Sequence, residues 1–243
     1  MTDSLRPSFS DWMKKKKIHG KEAQENFLQS QPRQALIAEL KDRADKFQFN
    51  TGKTKKTIKE RGILKARKNL DFEPNTSRLQ DASETVYERL LTASVANFYN
   101  QFSFSDKINI DLIKLNGNQI THICELKTVS NGFYYAVYEL VYYYFLLRRV
   151  ASNPKEFPMH LAYIHKGRPH LLEELTIKEP GLTLCVLVPR SYIRNKRKAM
   201  QFLEELSLLL EGNPQFKLIE LQKDWGKIFP LFKETKKYYS KEL

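Results

Sequence analysis

The chain has 243 residues, a length that accommodates one sizeable α/β domain together with an appendage. It has 41 Lys and Arg residues against 28 Asp and Glu residues, so its formal net charge is +13. The two cysteines support neither a disulfide framework nor a zinc site, and no charge-free apolar stretch is as long as a membrane span. The amino terminus also lacks the apolar core of a signal peptide, so we expect a cytoplasmic protein that does not enter the membrane.

Much of the positive charge lies in the first eighty residues, which hold 19 Lys and Arg against 10 Asp and Glu. One basic cluster is 14–17, and a larger one is 52–68, where the only acid is Glu60. Such clusters attract phosphate backbones, whereas membrane binding requires a broad apolar face that 52–68 lacks. We therefore interpret this segment as a nucleic-acid-binding arm; the alternatives are an acidic membrane surface or no partner at all. The candidate contact residues are Lys53, Lys55, Lys56, Lys59, Arg61, Lys65, Arg67 and Lys68.

We interpret residues 1–75 as a basic, partly helical extension of a domain at 76–243. Residues 31–41 predict a helix with Pro32 in its first turn. The residues before Gly20 are polar, and we expect them to be flexible.

A further helix is predicted to begin at Asp81, which fits a capping box with Glu84. Glu84 and Glu88 are four residues apart and therefore lie on one face of this helix. Apolar residues at helical spacing form a stripe along this predicted helix: Val86, Leu90, Leu91, Val95 and Phe98.

Residues 108–115 and 119–127 flank an Asn-Gly turn, which strongly indicates a β-hairpin. A three-residue loop at 116–118 pairs Asp111 with Ile123. In that register Asp111, Glu125 and Lys127 share one face, because side chains alternate between faces along a strand. A two-residue turn would place Asp111 on the other face.

Two carboxylates and a lysine on adjacent strands suit metal-assisted phosphate chemistry. Carboxylate oxygens are hard ligands for Mg²⁺ or Mn²⁺, and a nearby lysine can orient the attacking water or neutralise charge. The alternative is an ordinary surface hairpin with charges paired across its strands.

The spacing of Asp111, Glu125 and Lys127 resembles the PD-(D/E)XK nuclease superfamily, whose pattern is Asp, a spacer of about this length, then Glu-X-Lys. The resemblance implies that Asp111 and Glu125 bind the metal and that the backbone carbonyl of Leu126 also faces it. It further implies an acid on the preceding helix, for which Glu88 is the first choice and Glu84 the reserve.

The helix predicted at 133–149 contains six tyrosines. RecB-type members of the superfamily have a Gln-x-x-x-Tyr pair about a dozen residues after the lysine. Here Glu139 and Tyr143 have that spacing, with Glu in place of Gln, and they would support Lys127. We expect most of the tyrosines to be core residues, with one or two left to stack on bases.

The remaining predicted elements are strands at 159–166 and 182–189, a helix at 196–210, a strand at 216–221 and a basic closing helix at 225–239. Together with the hairpin they predict an α/β fold: a restriction-endonuclease-like core whose mixed central sheet is flanked by helices.

The resulting hypothesis is a divalent-metal-dependent nuclease that hydrolyses DNA phosphodiester bonds, with RNA as a second possible substrate. One alternative is a catalytically inactive nucleic-acid-binding subunit of a larger nuclease or transposition complex. Another is a non-nuclease α/β protein whose basic arms bind an acidic protein. A homo-oligomer and a partner protein both stay open.

Overall fold

The computed structural model describes residues 8–47, 63–65, 88, 91–92, 97–105, 108–127, 132–155, 157, 159–165, 168–172 and 174–221. The closing helix at 225–239 and the capping box of Asp81 and Glu84 lie outside these residues. Lys65 ends the short strand β1 (Ile63–Lys65). The other proposed arm residues lie outside the described residues: Lys53, Lys55, Lys56, Lys59, Arg61, Arg67 and Lys68.

Helix α1 (Phe9–Lys15) begins with a capping box, in which Ser8 Oγ accepts from Asp11 N at 3.1 Å and Ser8 N donates to the Asp11 carboxylate. The expectation of flexibility before Gly20 is therefore wrong for this helix. The reason is its spacing, since three large apolar residues lie within one turn and are all buried: Phe9, Trp12 and Met13.

Helices α2 (Lys21–Ser30) and α3 (Arg33–Lys46) follow. The predicted helix with Pro32 at its start is confirmed, with Pro32 as the N-cap of α3. The buried face of α3 packs against helix α4 (Phe133–Ser152), so α1 to α3 share one hydrophobic core with the sheet. The domain boundary after residue 75 stays a prediction.

A helical segment contains Glu88, Leu91 and Thr92. The assignment of Phe98 to this helix is wrong, because Phe98 begins strand β2 (Phe98–Ser105). Asn97 precedes it with φ of +63°, a left-handed conformation that Asn tolerates and that redirects the chain.

The protein has a mixed α/β fold with a six-stranded mixed sheet flanked by helices. Strands β2, β3 (Ile108–Asn116) and β4 (Gln119–Leu126) form an antiparallel meander. Strands β8 (Thr183–Pro189) and β9 (Gln215–Leu221) continue it in parallel, and β7 (Thr176–Ile177) also pairs with β4. The confirmed strand predictions at 182–189 and 216–221 thus lie in the main sheet.

A separate three-stranded sheet joins β1, β5 (His160–His165) and β6 (Arg168–Leu172). The strand predicted at 159–166 is confirmed as β5. Helix α5 (Lys196–Leu209) matches the prediction at 196–210, and Asn195 caps it by accepting from Lys198 N.

Helix α4 crosses one face of the main sheet and packs against β4 and β8. Five of its six tyrosines are buried and the sixth, Tyr134, is half-buried. The prediction that these tyrosines are core residues is therefore confirmed for the set.

The β3–β4 hairpin has a different turn from the predicted one. Asn116 pairs with Gln119, so the turn has two residues, Gly117 and Asn118. Gly117 has φ of +58°, which glycine adopts without a steric penalty. The three-residue loop is therefore wrong, and so is the pairing of Asp111 with Ile123.

A β-bulge compensates for the shorter turn. Lys114 pairs with His122 but Leu115 pairs with Ile120, which leaves Thr121 as one extra residue on β4. The Thr121 hydroxyl donates to the Lys114 carbonyl at 3.2 Å. The extra residue reverses the parity of the pairing, so the odd-numbered residues of both strands again share a face.

We predict that Trp12→Ala lowers the free energy of unfolding by about 3–5 kcal/mol, because it leaves a cavity in the shared core. Trp12 is 1% exposed, and its indole N–H donates to Glu39 at 2.7 Å. Urea denaturation measures the change. The control Leu208→Ala, at a residue that is 80% exposed, should change stability by less than about 0.5 kcal/mol. A Trp12→Ala protein that unfolds at the wild-type midpoint would show that α1 is not part of the core.

Candidate active site

Asp111 and Glu125 lie side by side on the face of the sheet that α4 covers. Leu112 pairs with Cys124, so the next residue on each strand, Asp111 and Glu125, points to the opposite face. Glu125 is also level with Val186 of β8, which belongs to the core beneath α4. Neighbouring strands thus bring two carboxylates under one helix.

Lys127 follows the end of β4 and binds two glutamates. Its ammonium group forms a hydrogen-bonded ion pair with Glu125 Oε1 and lies 3.1 Å from Glu139 Oε2 on α4. All three side chains are buried, with Glu125 1% exposed and Lys127 7% exposed. The ion pairs therefore form where water screens them little.

The Asp111 carboxylate is held by the backbone of β4. Its Oδ2 accepts from the Leu126 N–H at 2.7 Å. Lys127 N donates to the Leu187 carbonyl at 3.0 Å, which continues the β4–β8 pairing beyond Leu126. The first bond fixes the Asp111 carboxylate beside Leu126, and the second fixes the backbone of Lys127.

Glu125 has a strongly perturbed carboxyl group. Burial raises its pKa well above the usual range, and the charge of Asp111 raises it further, while Lys127 acts in the opposite direction. The neighbouring Glu139 carboxyl also raises the pKa of Glu125. Within the described residues no donor group reaches the buried Glu125 Oε2. A buried carboxylate oxygen without a donor is costly in the protein alone and favours a cation at this position.

A second layer of tyrosines supports the network from α4. The Tyr143 hydroxyl donates to Glu139 Oε1 at 3.2 Å, and burial raises the pKa of Tyr143 well above its usual value, with the charges of Glu139, Glu125 and Asp111 adding to the effect. Burial raises the pKa of Tyr135, and the nearby Ser10 of α1 acts in the opposite direction. The Tyr135 ring meets the Phe9 ring edge-on, with centroids 4.8 Å apart. The sequence predictions assigned neither Ser10 nor Tyr135 to the site.

Glu88 approaches the sheet from the other face. It is 3% exposed, and its Oε2 accepts from Asn100 Nδ2 at 3.3 Å. Asn100 pairs with Leu112, so this bond lies on the face opposite Asp111. The role of Glu88 as a metal ligand stays a prediction, as does that of the Leu126 carbonyl. Glu84 lies outside the described residues.

The residues on the α4 face fit a cation that takes few protein ligands. The described residues contain no group of three or more His, Cys, Asp or Glu side chains that could hold a metal ion. Mg²⁺ keeps several of its waters and binds proteins through one or two carboxylates. Asp111 and Glu125, with its unpartnered oxygen, meet that requirement.

The sequence predictions did not include a basic cluster near the start of α5. The segment 190–198 contains five basic residues and no acid: Arg190, Arg194, Lys196, Arg197 and Lys198. The basic residues close together in the sequence could have identified this cluster, although they are fewer than those of the segment at 52–68.

Comparison of the chain with protein-family models, with curated proteins and with solved structures gave no match. Among the described helices, none has the length and apolar character required to cross a membrane. The cytoplasmic location stays a prediction.

We predict that Glu125→Gln stabilises the metal-free protein, and that the gain increases with pH. A carboxyl pKa that folding raises means that the folded state holds the proton more tightly than the unfolded state. The wild type therefore loses stability as the pH rises from the ordinary Glu pKa towards the folded-state value. The midpoint of thermal unfolding, measured in EDTA from about pH 5 to about pH 8, should show a growing difference in favour of Glu125→Gln.

The matched control is Glu204→Gln, the same change at an exposed position of α5, which should leave the midpoint unchanged within about 1 °C. The difference in thermal midpoint between Glu125→Gln and the wild type could instead narrow as the pH rises. That result would mean that the ion pair with Lys127 affects the Glu125 pKa more than burial and the Asp111 charge together.

Proposed function

We propose that the protein is a divalent-metal-dependent nuclease of the PD-(D/E)XK type that cleaves DNA. The observation that carries this proposal is the cluster under α4. Asp111 and Glu125 lie on neighbouring strands, Lys127 binds Glu125, and Glu125 Oε2 accepts from no donor among the described residues. Two acids and a lysine in this arrangement suit phosphodiester hydrolysis.

The order of elements supports the same proposal. A helical segment at Glu88 precedes an antiparallel meander of three strands, then α4 and the parallel strand β8. A restriction-endonuclease-like core has this sequence of helix, three antiparallel strands, helix and strand. Asp111 lies in the first half of β3, Glu125 near the end of β4, and Lys127 directly after it.

Each side chain of the cluster has a role in this proposal. Asp111 and Glu125 would hold Mg²⁺ or Mn²⁺, which when bound polarises a phosphoryl oxygen and lowers the pKa of a coordinated water. Lys127 would donate a hydrogen bond to the attacking water or to a phosphate oxygen. Glu139 holds the Lys127 ammonium group from α4, and Tyr143 in turn binds Glu139. The last two are therefore positioning residues for Lys127.

The net charge of +13 favours a polyanionic substrate. A nucleic-acid substrate also explains the composition of the cluster, because the acids suit a metal ion and the lysine suits a phosphate. The choice of DNA over RNA is part of the proposal.

The same ion pairs also favour a second candidate, an inactive nucleic-acid-binding subunit of this fold. In that case Lys127, bound to both Glu125 and Glu139 in a buried network, would stabilise the fold rather than contact a substrate. Cleavage assays separate the two candidates.

We predict metal-dependent cleavage of DNA that EDTA abolishes. Asp111→Ala, Glu125→Gln and Lys127→Met should each reduce the rate by at least about a hundredfold, because each removes a group that acts on the metal or the water. Linear and circular substrates, each single- and double-stranded, should be compared with Mg²⁺ and Mn²⁺.

The control Glu204→Gln should cleave at the wild-type rate. Binding of DNA in EDTA should survive all three substitutions in the cluster. Wild-type cleavage by Lys127→Met would contradict the proposed role of Lys127, and binding without any cleavage would favour the inactive subunit.

We also predict that Mg²⁺ stabilises the folded protein. A ligand that binds only the folded state raises its stability according to the ratio of ligand concentration to Kd. At a hundredfold excess over Kd, thermal unfolding should shift upwards by about 5 °C. Glu125→Gln should abolish the shift and Glu204→Gln should keep it. An equal shift in both variants would place the metal elsewhere.

A further inference from the structure

Two adjoining cavities lie on the side of α4 that faces away from the acid–lysine cluster. The first has a volume of about 500 Å³ and lies between α2, α3, α4 and α5. The second, of about 530 Å³, extends to the segment before α5. They share Gln29, Tyr134 and Lys198. We call the two together the α2–α5 groove.

The floor of the first cavity is aromatic. Tyr134 and Phe202 meet edge-on with ring centroids 4.9 Å apart, and Tyr138 lies 5.9 Å from Phe202. Amide side chains line the cavity above this floor, namely those of Gln29, Gln31 and Gln201. A flat ligand with hydrogen-bonding edges would find both an apolar surface and donors and acceptors here.

Tyr138 has an unsatisfied polar atom at this floor. The residue is fully buried, and its hydroxyl has no hydrogen-bond partner in the described part of the chain. Burial also raises the pKa of Tyr138, so the hydroxyl stays a neutral donor. A buried hydroxyl is costly unless a partner satisfies it, and Tyr138 is one of the residues that line the first cavity.

The second cavity supplies positive charge. Lys21, Arg194 and Lys198 line it, and neither Arg194 nor Lys198 forms an ion pair with a described carboxylate. Lys21 lies over the Tyr192 ring, 3.2 Å from its centroid.

Three acids line the groove, and two of them, Glu25 and Glu205, have partners of their own. Glu25 accepts from the Tyr134 and Tyr135 N–H groups at 3.1 and 2.9 Å, which caps the start of α4. Glu205 pairs with Arg33. Glu22 is the third acid of the lining. The basic residues Lys21, Arg33, Arg194 and Lys198 outnumber the three acids by one, so the net charge of the lining is positive and suits phosphate.

We propose that the α2–α5 groove binds single-stranded nucleic acid, with backbone phosphates on Arg194, Lys198 and Lys21 and an unpaired base in the cavity floored by Tyr134, Tyr138 and Phe202. Single-strand binding combines a positively charged groove with aromatic side chains in this way. A paired base could not enter, because the cavity lies between helices.

The groove and the acid–lysine cluster lie on different faces of the same helix, α4. Tyr134 and Tyr138 lie on a face of α4 that is roughly 140° from the face of Glu139 and Tyr143. The two sites are thus separated by about one helix diameter, or ~10 Å. The choice of ligand rests on the proposed nuclease function, and the groove would hold the strand beside the point of cleavage.

The test is binding of a fluorescent oligothymidylate of about twelve nucleotides, measured by anisotropy in EDTA so that cleavage cannot interfere. Arg194→Ala/Lys198→Ala should weaken binding about tenfold and reduce the slope of log affinity against log salt by about 1.4, or about 0.7 per lost phosphate contact. The control Lys46→Ala/Lys155→Ala removes the same charge from exposed residues that line neither cavity. It should keep the wild-type slope.

Tyr138→Phe tests the base cavity without a change of shape. The free protein should be at least as stable as the wild type, because an unsatisfied hydroxyl is removed. Binding of the oligonucleotide should weaken about fivefold, because the base loses a hydrogen bond. Wild-type affinity in this variant would overturn the placement of the base.

The outcomes also separate this inference from the proposed function. Wild-type binding by Arg194→Ala/Lys198→Ala, with metal-dependent cleavage intact, overturns the groove and leaves the nuclease. Groove-dependent binding by a protein that cleaves nothing overturns the nuclease and leaves the groove. Polyglutamate that competes as well as oligothymidylate would identify an acidic protein as the occupant and overturn the proposal.

Discussion

The parity of the β3–β4 hairpin is the constraint on which the candidate site depends. A two-residue turn alone would place Asp111 and Glu125 on opposite faces of the sheet. The bulge at Thr121 adds one residue to β4 and restores their common face. A local irregularity near the turn thus determines whether two carboxylates meet at the far end of the hairpin, where α4 covers them and Lys127 can bind Glu125.

Burial under α4 gives this cluster its chemical character. On an exposed hairpin the same charges would interact weakly, but here Glu125 is almost fully excluded from water and lies beside Asp111. The repulsion between the acids costs stability in the protein alone, and Lys127 offsets it only in part. Strained electrostatics of this kind are common at functional sites, and a bound cation would relieve them.

Helix α4 connects the cluster to the rest of the molecule. One face carries Glu139 and Tyr143 towards Lys127, and the other carries Tyr134 and Tyr138 towards the α2–α5 groove. Helices α1 to α3 pack on α4, so the amino-terminal helices are part of the structure that holds the site. Ser10 of α1 reaches Tyr135, which lies next to the charged network.

Local patterns in the sequence were sufficient for the hairpin, for β5, β8 and β9, and for α3 and α5, because apolar periodicity and turn residues act over short distances. The expectation that Glu139 and Tyr143 support Lys127 came instead from the resemblance to a nuclease superfamily. Local patterns were not sufficient for the register of the hairpin, since a bulge has no signal of its own in the spacing of apolar residues. Nor did they place Phe98 in a strand or Glu88 on the second face of the sheet. The positions of Phe98 and Glu88, the docking of α1 and the groove beside α4 depend on contacts between residues far apart in the chain. Only the tertiary structure decides which of these contacts form.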